Sequence, residues 1–315
     1  MKKWIIFIGS FSFCFICILL VGEYFLRQIP NDYSTKMKSF LQQQEKVEVL
    51  ILGSSHSYVG LNPAYFSPTT FNFANSSQTL DLDAQLLQKV VDQMPKLQTV
   101  IIPISYFSYV LALEDGKSAS KIKNYNIYYH IYSHTFQWNN QFELLSQSPK
   151  ANWKRYQKFL KYPTAEVFTD ANGFKTKRIG KSKLNTTEAL KNTLSNHTRA
   201  LSDEKIQLRI AQNIAALQQM IALCRKKQIQ VVLLTTPVQT SYLKGLDPVQ
   251  KQHFIQQTSA VVSKNNHVKW GNYLEIDSIF TSEDFQDVDH LSIAGAKKLS
   301  ILVNQQLLDR RNDAL

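Results

Sequence analysis

The chain has 315 residues, 44% hydrophobic and 19% charged, enough for one sizeable α/β domain with an insertion or for two small domains, and too apolar for a disordered polymer. Its net charge of +12 points to an acidic partner such as an anionic polymer or a lipid surface, while the lack of zinc-finger spacing or any nucleic-acid motif argues against nucleic acid. Only three cysteines occur, so a disulfide framework is excluded, and Cys224 reads as a small core residue on an apolar helical stripe.

Residues 1–22 read as a transmembrane anchor. Lys2 and Lys3 precede WIIFIGSFSFCFICILLVG, which carries no charge and matches the roughly 20 residues a helix needs to cross a hydrocarbon core. The lysines put the N-terminus in the cytoplasm and the rest of the chain outside it, periplasmic or at the cell surface. A cleaved signal peptide is the rival, but Glu23, Tyr24 and Phe25 make a poor cleavage site. Residues 23–46 read as a polar, partly helical connector.

Residues 47–57 are VEVLILGSSHS. Branched apolar residues stopped by Gly53 favour a buried strand over a helix. In open α/β sheets, ligands gather at the carboxyl ends of strands, where Ser54, Ser55, His56 and Ser57 would stand. Gly-Ser-Ser also suits an ordinary loop, and His56 is expected in a solvated or structural role. Residues 69–74 have strand composition and run into Asn75, Ser76 and Ser77. Thr79 can cap a helix carrying Leu82, Leu86, Val90 and Met94. Residues 100–104 form another apolar strand ending in Ser105, so the chain opens as the start of a parallel sheet.

The βα rhythm stops between about 106 and 200, where the chain is basic and rich in tyrosine. Residues 121–134, with Tyr125, Tyr128, Tyr129 and Tyr132, read as helical. Residues 167–179 read as a hairpin around Asn172 and Gly173. Lys175, Lys177, Arg178, Lys181 and Lys183 cluster on or after it, either as a solvated loop or as a cap that meets an anionic polymer. From Ser202 the rhythm returns. Ile206, Ile210, Ile214, Leu217, Ile221 and Cys224 line one helical face, with Asp203 and Glu204 at its start. A strand at 231–234, a helix at 249–264 and a last strand at 268–273 follow. Ser292 can cap a final helix that turns Ala296, Leu299, Val303 and Leu307 inward.

Just before that helix stands DFQDVDHLSIAGAKKLS, residues 284–300. Asp287 and His290 are three apart, a spacing that lets a carboxylate reach the imidazole Nδ1–H and leaves Nε2 free to take a proton from a serine. Asp289 is a competing partner expected to point away. His130, His134, His197, His253 and His267 share no metal spacing, and no glycine loop cradles phosphate, so neither metal nor cofactor is expected.

With Gly-Ser-Ser after the first strand and Asp-x-x-His before the last helix, the sequence resembles the SGNH (GDSL-type) hydrolase superfamily. The resemblance covers roughly 47–105 and 202–310. It implies a three-layer α/β/α, flavodoxin-like parallel sheet, here with a basic insertion at about 106–200. It implies Ser55 as nucleophile, with Ser54 where aspartate is usual, His290 as base and Asp287 as its orienting carboxylate. Gly53, Ser55, Ser77 and Ser105 would form the oxyanion and substrate-binding side. Ser77 stands where the family has glycine, and no asparagine follows the third strand. Losing one oxyanion donor can cost about 2.7–4 kcal/mol of transition-state stabilisation.

The anchor and the missing asparagine are similar to membrane-anchored proteins of envelope polysaccharide acylation, of the D-alanine transfer and alginate acetylation types. The expected organisation is an anchor (1–22), a connector (23–46) and an α/β domain (47–310). The expected function is a serine esterase or O-acyltransferase acting on an envelope glycan, with a membrane-bound O-acyltransferase as a possible partner. A non-catalytic envelope protein that binds an anionic glycan or such a partner is the alternative.

Overall fold

The computed structural model describes residues 2–132, 136–177, 186–275 and 279–308. Five short apolar stretches form one sheet: β1 (Val49–Ile51), β2 (Thr70–Asn72), β3 (Thr99–Pro103), β4 (Gln230–Thr235) and β5 (Val268–Asn272). Every pair is parallel, in the order β2-β1-β3-β4-β5. A parallel sheet is covered on both faces, which is why the inner strands β1, β3 and β4 are runs of branched apolar residues rather than alternating ones. Leu50, Val100, Ile102, Val231 and Leu233 enter the larger core, while Val49, Ile51, Ile101, Val232 and Leu234 enter the smaller one behind the sheet.

In chain order the helices are α1 (Lys2–Arg27), α2 (Asp32–Gln43), α3 (Ser55–Gly60), α4 (Leu80–Val90), the single turn α5 (Ile122–Asn124), α6 (Pro149–Lys161), α7 (Thr187–His197), α8 (Glu204–Lys226), α9 (Thr240–Gly245), α10 (Pro248–Ser263) and α11 (Ile293–Val303). Phe40 of α2, Leu86 of α4, Leu217 of α8 and Phe254 of α10 pack on one sheet face; Leu299 and Val303 of α11 pack on the other. The fold is the expected α/β sandwich of helices about a parallel sheet. Local chemistry explains the helix ends. Asp203 caps α8 by accepting from the Lys205 N–H, and Ser292 caps α11 by accepting from the Gly295 N–H at 3.2 Å.

α1 is long and apolar enough to cross a membrane, with a mean hydropathy of 2.7 over its best window. A signal sequence near the N-terminus has the same character. The helix runs five residues past the charge-free stretch, to Arg27. The segment 23–46 is partly helical, through α2, and one side of it is packed into the domain. Glu23 is buried, and Tyr33, Lys36 and Phe40 of α2 are buried as well. Lys36 donates to the Ala74 carbonyl beneath the Asn75–Ser77 turn, and burial pulls its pKa down to about 7 against the opposing charges of Asp32 and Asp170.

In the inserted region, Tyr125 and Tyr129 are buried on a π-turn that follows α5, and both rings pack on Tyr33. The hairpin expected near Gly173 is present as an antiparallel bridge between Thr169 and Lys175. Gly173 has φ +85°, and a Cβ there would lie 2.0 Å from the Asn72 carbonyl oxygen, so only glycine fits. The Asn72 N–H donates to the Asn172 carbonyl at 2.9 Å, which covers the open edge of β2. His134, Arg178, Lys181 and Lys183 lie outside the described residues.

Candidate active site

β1 delivers the chain into a left-handed turn at Gly53, φ +104°. A Cβ there would sit 1.8 Å from Pro103 Cγ at the end of β3, so the turn needs glycine both sterically and conformationally. The Gly53 N–H donates to Asp83 Oδ1 at 2.9 Å, and Gln78 Nε2 donates to the same oxygen at 2.6 Å. Burial raises the Asp83 carboxyl to about 7, although both hydrogen bonds favour its charged form. Ser54 then caps α3, accepting from the His56 N–H at 3.4 Å. Ser55, the first residue of α3, is half-buried with its hydroxyl at the carboxyl end of the sheet.

The other half of the site comes from the loop before α11. A bridge between Phe285 and Leu291 closes this loop, and the Gln286 N–H donates to the His290 carbonyl at 3.0 Å. Inside it, Asp287 Oδ1 accepts from the N–H groups of Asp289 (3.2 Å) and His290 (2.7 Å) and lies 3.0 Å from His290 Nδ1. His290 Nε2 lies 2.8 Å from Ser55 Oγ, a residue 235 positions away.

Asp289 departs from the sequence expectation. It does not point away: its side chain is 3% exposed, with Oδ1 3.2 Å from His290 Nδ1 and Oδ2 3.1 Å from His56 Nε2. The cause is local. Asp287 draws both following N–H groups onto one oxygen, and this tight turn aims the Asp289 carboxylate inward. His56 is not solvated either; it is 4% exposed. A carboxylate can only accept, so His56 Nε2 carries the proton, and Nδ1 lies 2.9 Å from the Ser105 hydroxyl and 3.2 Å from the Thr236 hydroxyl. A continuous chain therefore runs Ser55–His290–Asp289–His56–Ser105.

Burial works against charge at both Asp289 and His290, but the partners of each outweigh it. It raises Asp289, yet His290 and His56 hold that carboxylate well below the usual range. It lowers His290, yet Asp289 and Asp287 push the imidazole up to about 10. At neutral pH His290 is therefore an imidazolium whose Nε2–H donates to Ser55 Oγ. His197, at the end of α7, is pulled down to about 4 by burial, with Asp289 opposing; its Nδ1 lies 2.7 Å from the Tyr242 hydroxyl.

The oxyanion candidates divide. The Gly53 N–H is held by Asp83. The Ser105 hydroxyl is turned to His56, and the Ser105 N–H donates to Ser108 Oγ at 2.8 Å. All three groups are thus engaged inside the protein rather than offered to a ligand. Ser77 adopts φ +67°, the left-handed backbone that a glycine would take without strain. Ser55 and Ser77 both line a cleft of about 420 Å³, with Phe107, Leu111, Lys117 and His197 supplied from beyond β3. The cleft opens where β1 and β3 diverge, the switch point at which sheets of this strand order bind ligands. His56, Asp289 and His290 bring potential metal-ligating atoms within 4.8 Å of one another, but the contacts among them are direct hydrogen bonds.

The structure thus brings Ser55, Asp287 and His290 together and adds Asp289, His56 and His197. Adjacency to Ser55 and His290 was the only sequence signal for His56 and Asp289, and His197 had none.

No family model matches the chain, and no curated protein matches it. Among solved structures it is similar to a protein described as a candidate platelet activating factor from Streptococcus pneumonia, with 13% identity, TM-score 0.39, and coverage of 92% of this chain and 97% of that one. It is also similar to a protein described as a candidate acylhydrolase from Bacteroides fragilis, with 12% identity, TM-score 0.41, and coverage of 85% and 93%.

Proposed function

We propose that this protein is a membrane-anchored serine acyl-transfer enzyme, with its catalytic domain outside the cytoplasm and an envelope glycan or anionic polymer as acceptor. The observation that carries the reading is the 2.8 Å approach of His290 Nε2 to Ser55 Oγ, with Asp287 and Asp289 on the opposite ring nitrogen. In the first step the Ser55 hydroxyl proton passes to neutral Nε2 as Oγ bonds the acyl carbonyl carbon. The N–H groups of Ser55 and Ser77 receive the oxyanion. The imidazolium then protonates the leaving oxygen, the carbon–oxygen bond breaks, and acyl-Ser55 remains. An acceptor hydroxyl gives its proton to Nε2 as its oxygen bonds the acyl carbon, and Nε2–H returns that proton to Oγ as the Oγ–acyl bond breaks, restoring Ser55. A glycan acceptor makes the reaction a transfer and water makes it a hydrolysis. Transfer is preferred because of the resemblance to envelope O-acylation proteins.

A non-catalytic protein that binds an anionic glycan or a membrane-bound acyltransferase is the second reading. It draws on the internal engagement of Gly53 and Ser105. Covalent labelling of the full chain by a fluorophosphonate separates the two. Labelling that is lost in Ser55→Ala and grows as pH rises towards 10 supports the enzyme. No labelling at any pH across that range supports the binder.

A further inference from the structure

Beyond the cleft, a second surface has a chemistry of its own where α1 leaves its apolar run. Three side chains of α1 lock the chain around 141–156 to its last turns. Glu23 accepts from the N–H groups of Glu143 (3.1 Å) and Leu144 (2.8 Å). The Phe25 ring meets Tyr156 edge-on, with centroids 5.9 Å apart. Arg27 donates to the Gln141 carbonyl at 3.2 Å. The charge-free run ends at Gly22, so residues packed here stand at the depth where hydrocarbon gives way to headgroups.

At that depth the protein exposes apolar side chains. Trp153 is 59% exposed and Leu160 63%. Both lie on α6, seven residues apart and therefore on one stripe. Exposed Lys150, Lys154, Lys158 and Lys161 form the neighbouring stripe. Asn152 and Arg155 turn the other way, to the Leu144 carbonyl and the carboxylates of Glu143 and Glu166. Leu145 and Trp138, on the turns that precede α6, are exposed as well. A tryptophan and leucine stripe flanked by lysines is the signature of a helix lying in a membrane interface, with lysine stems reaching up to anionic headgroups.

We infer that α6, with Trp138 and Leu145, is an interfacial platform that rests on the anionic bilayer α1 enters. The inference depends on α1 spanning that bilayer, and it goes beyond the catalytic reading. The platform would hold the folded domain against the membrane instead of letting it swing on its anchor.

Depth-dependent quenching in the full chain tests this, in vesicles of phosphatidylcholine and phosphatidylglycerol brominated near the headgroup end of the acyl chains. The chain has four tryptophans, at 4, 138, 153 and 270. Trp4→Phe with Trp138→Phe leaves Trp153 and the sheet residue Trp270. Adding Trp153→Phe isolates the Trp270 background. Trp138→Phe with Trp153→Phe leaves Trp4, above the Trp270 background, to report on the span. Bromolipid is expected to reduce the Trp153-dependent emission about twofold or more. The quenching should shrink without phosphatidylglycerol, or with all four α6 lysines changed to glutamine. Quenched Trp4 beside unquenched Trp153 overturns the platform alone and leaves the patch to a protein partner, because the vesicles contain no other protein. Neither residue quenched overturns the span and the platform with it. Quenching indifferent to phosphatidylglycerol and to the lysine changes overturns the headgroup contacts.

Discussion

On one side of Ser55, two carboxylates and two imidazoles form a single hydrogen-bonded chain; on the other, the candidate anion site has the N–H groups of Ser55 and Ser77, and no asparagine directly follows β3. The proton-moving side is therefore rich in charge, while on the anion-holding side the Gly53 and Ser105 donors are engaged inside the protein. The second carboxylate makes His290 more basic than a general base near neutral pH should be. The first side would limit the reaction through protonation state and the second through transition-state binding, so the two respond to different perturbations.

The largest expected effect comes from breaking the proton side outright. His290→Ala should lower the rate of Ser55 labelling by about 10⁴-fold or more, read as a second-order rate constant with a fluorophosphonate. Gly53→Ala attacks the other side through the backbone. With a Cβ driven into Pro103 and a left-handed φ, it should destabilise the fold by about 3 kcal/mol or more, measured as a shift in urea midpoint.

Asp289→Asn sharpens the comparison. Neutral His290 is the reactive form, so the wild-type labelling rate should climb about tenfold per pH unit and level off near pH 10. Removing the Asp289 charge lowers the His290 pKa and should move that ascending limb about 1–2 units towards acid. Stability carries the same signature. Because the folded-state pKa of His290 is raised from 6.5 to about 10, its contribution is fully present below 6.5 and is lost as pH rises through 10. The variant should flatten that alkaline decline in the thermal midpoint. An unmoved limb would mean that Asp287 alone sets His290.

The smallest effect is expected at Ser77. Ser77→Gly relieves a left-handed backbone and should stabilise the fold by about 1 kcal/mol at most, since glycine also gains freedom when unfolded. It leaves the backbone N–H in place, so the labelling rate should hold. A large drop would give the Ser77 hydroxyl, 3.1 Å from Ser118 Oγ, a direct role in the cleft.

Much of the fold was legible because its signals are local. Leu82, Leu86, Val90 and Met94 are all buried as their spacing implied, and Ser292 caps the helix expected to follow it. Ile206 and Ile214 of the α8 stripe are only half-buried, and Asn213 beside them is buried because its side chain donates to the Tyr109 and Leu111 carbonyls. Periodicity reports a face, but a polar side chain can join that face once a partner backbone arrives. The packing of α2 was illegible for a related reason: Tyr33 and Phe40 find their core only after Tyr125, Tyr129, Phe71 and Phe73 have converged from distant segments.

By itself the sequence determined the parallel strands, the Ser292 cap, though not one at Thr79, whose hydroxyl donates to Asp81 instead, the apolar N-terminal helix and the three-residue spacing of Asp287 and His290. All of these depend on neighbours within a few positions along the chain. Only the tertiary structure decided that Asp289 faces inward, that His56 is buried on it, and that the Gly53 N–H and the Ser105 hydroxyl are engaged elsewhere. Those outcomes depend on how a sheet of order β2-β1-β3-β4-β5 sets the ends of β1, β3 and β4 beside the loop before α11, and local periodicity carries no information about that distance.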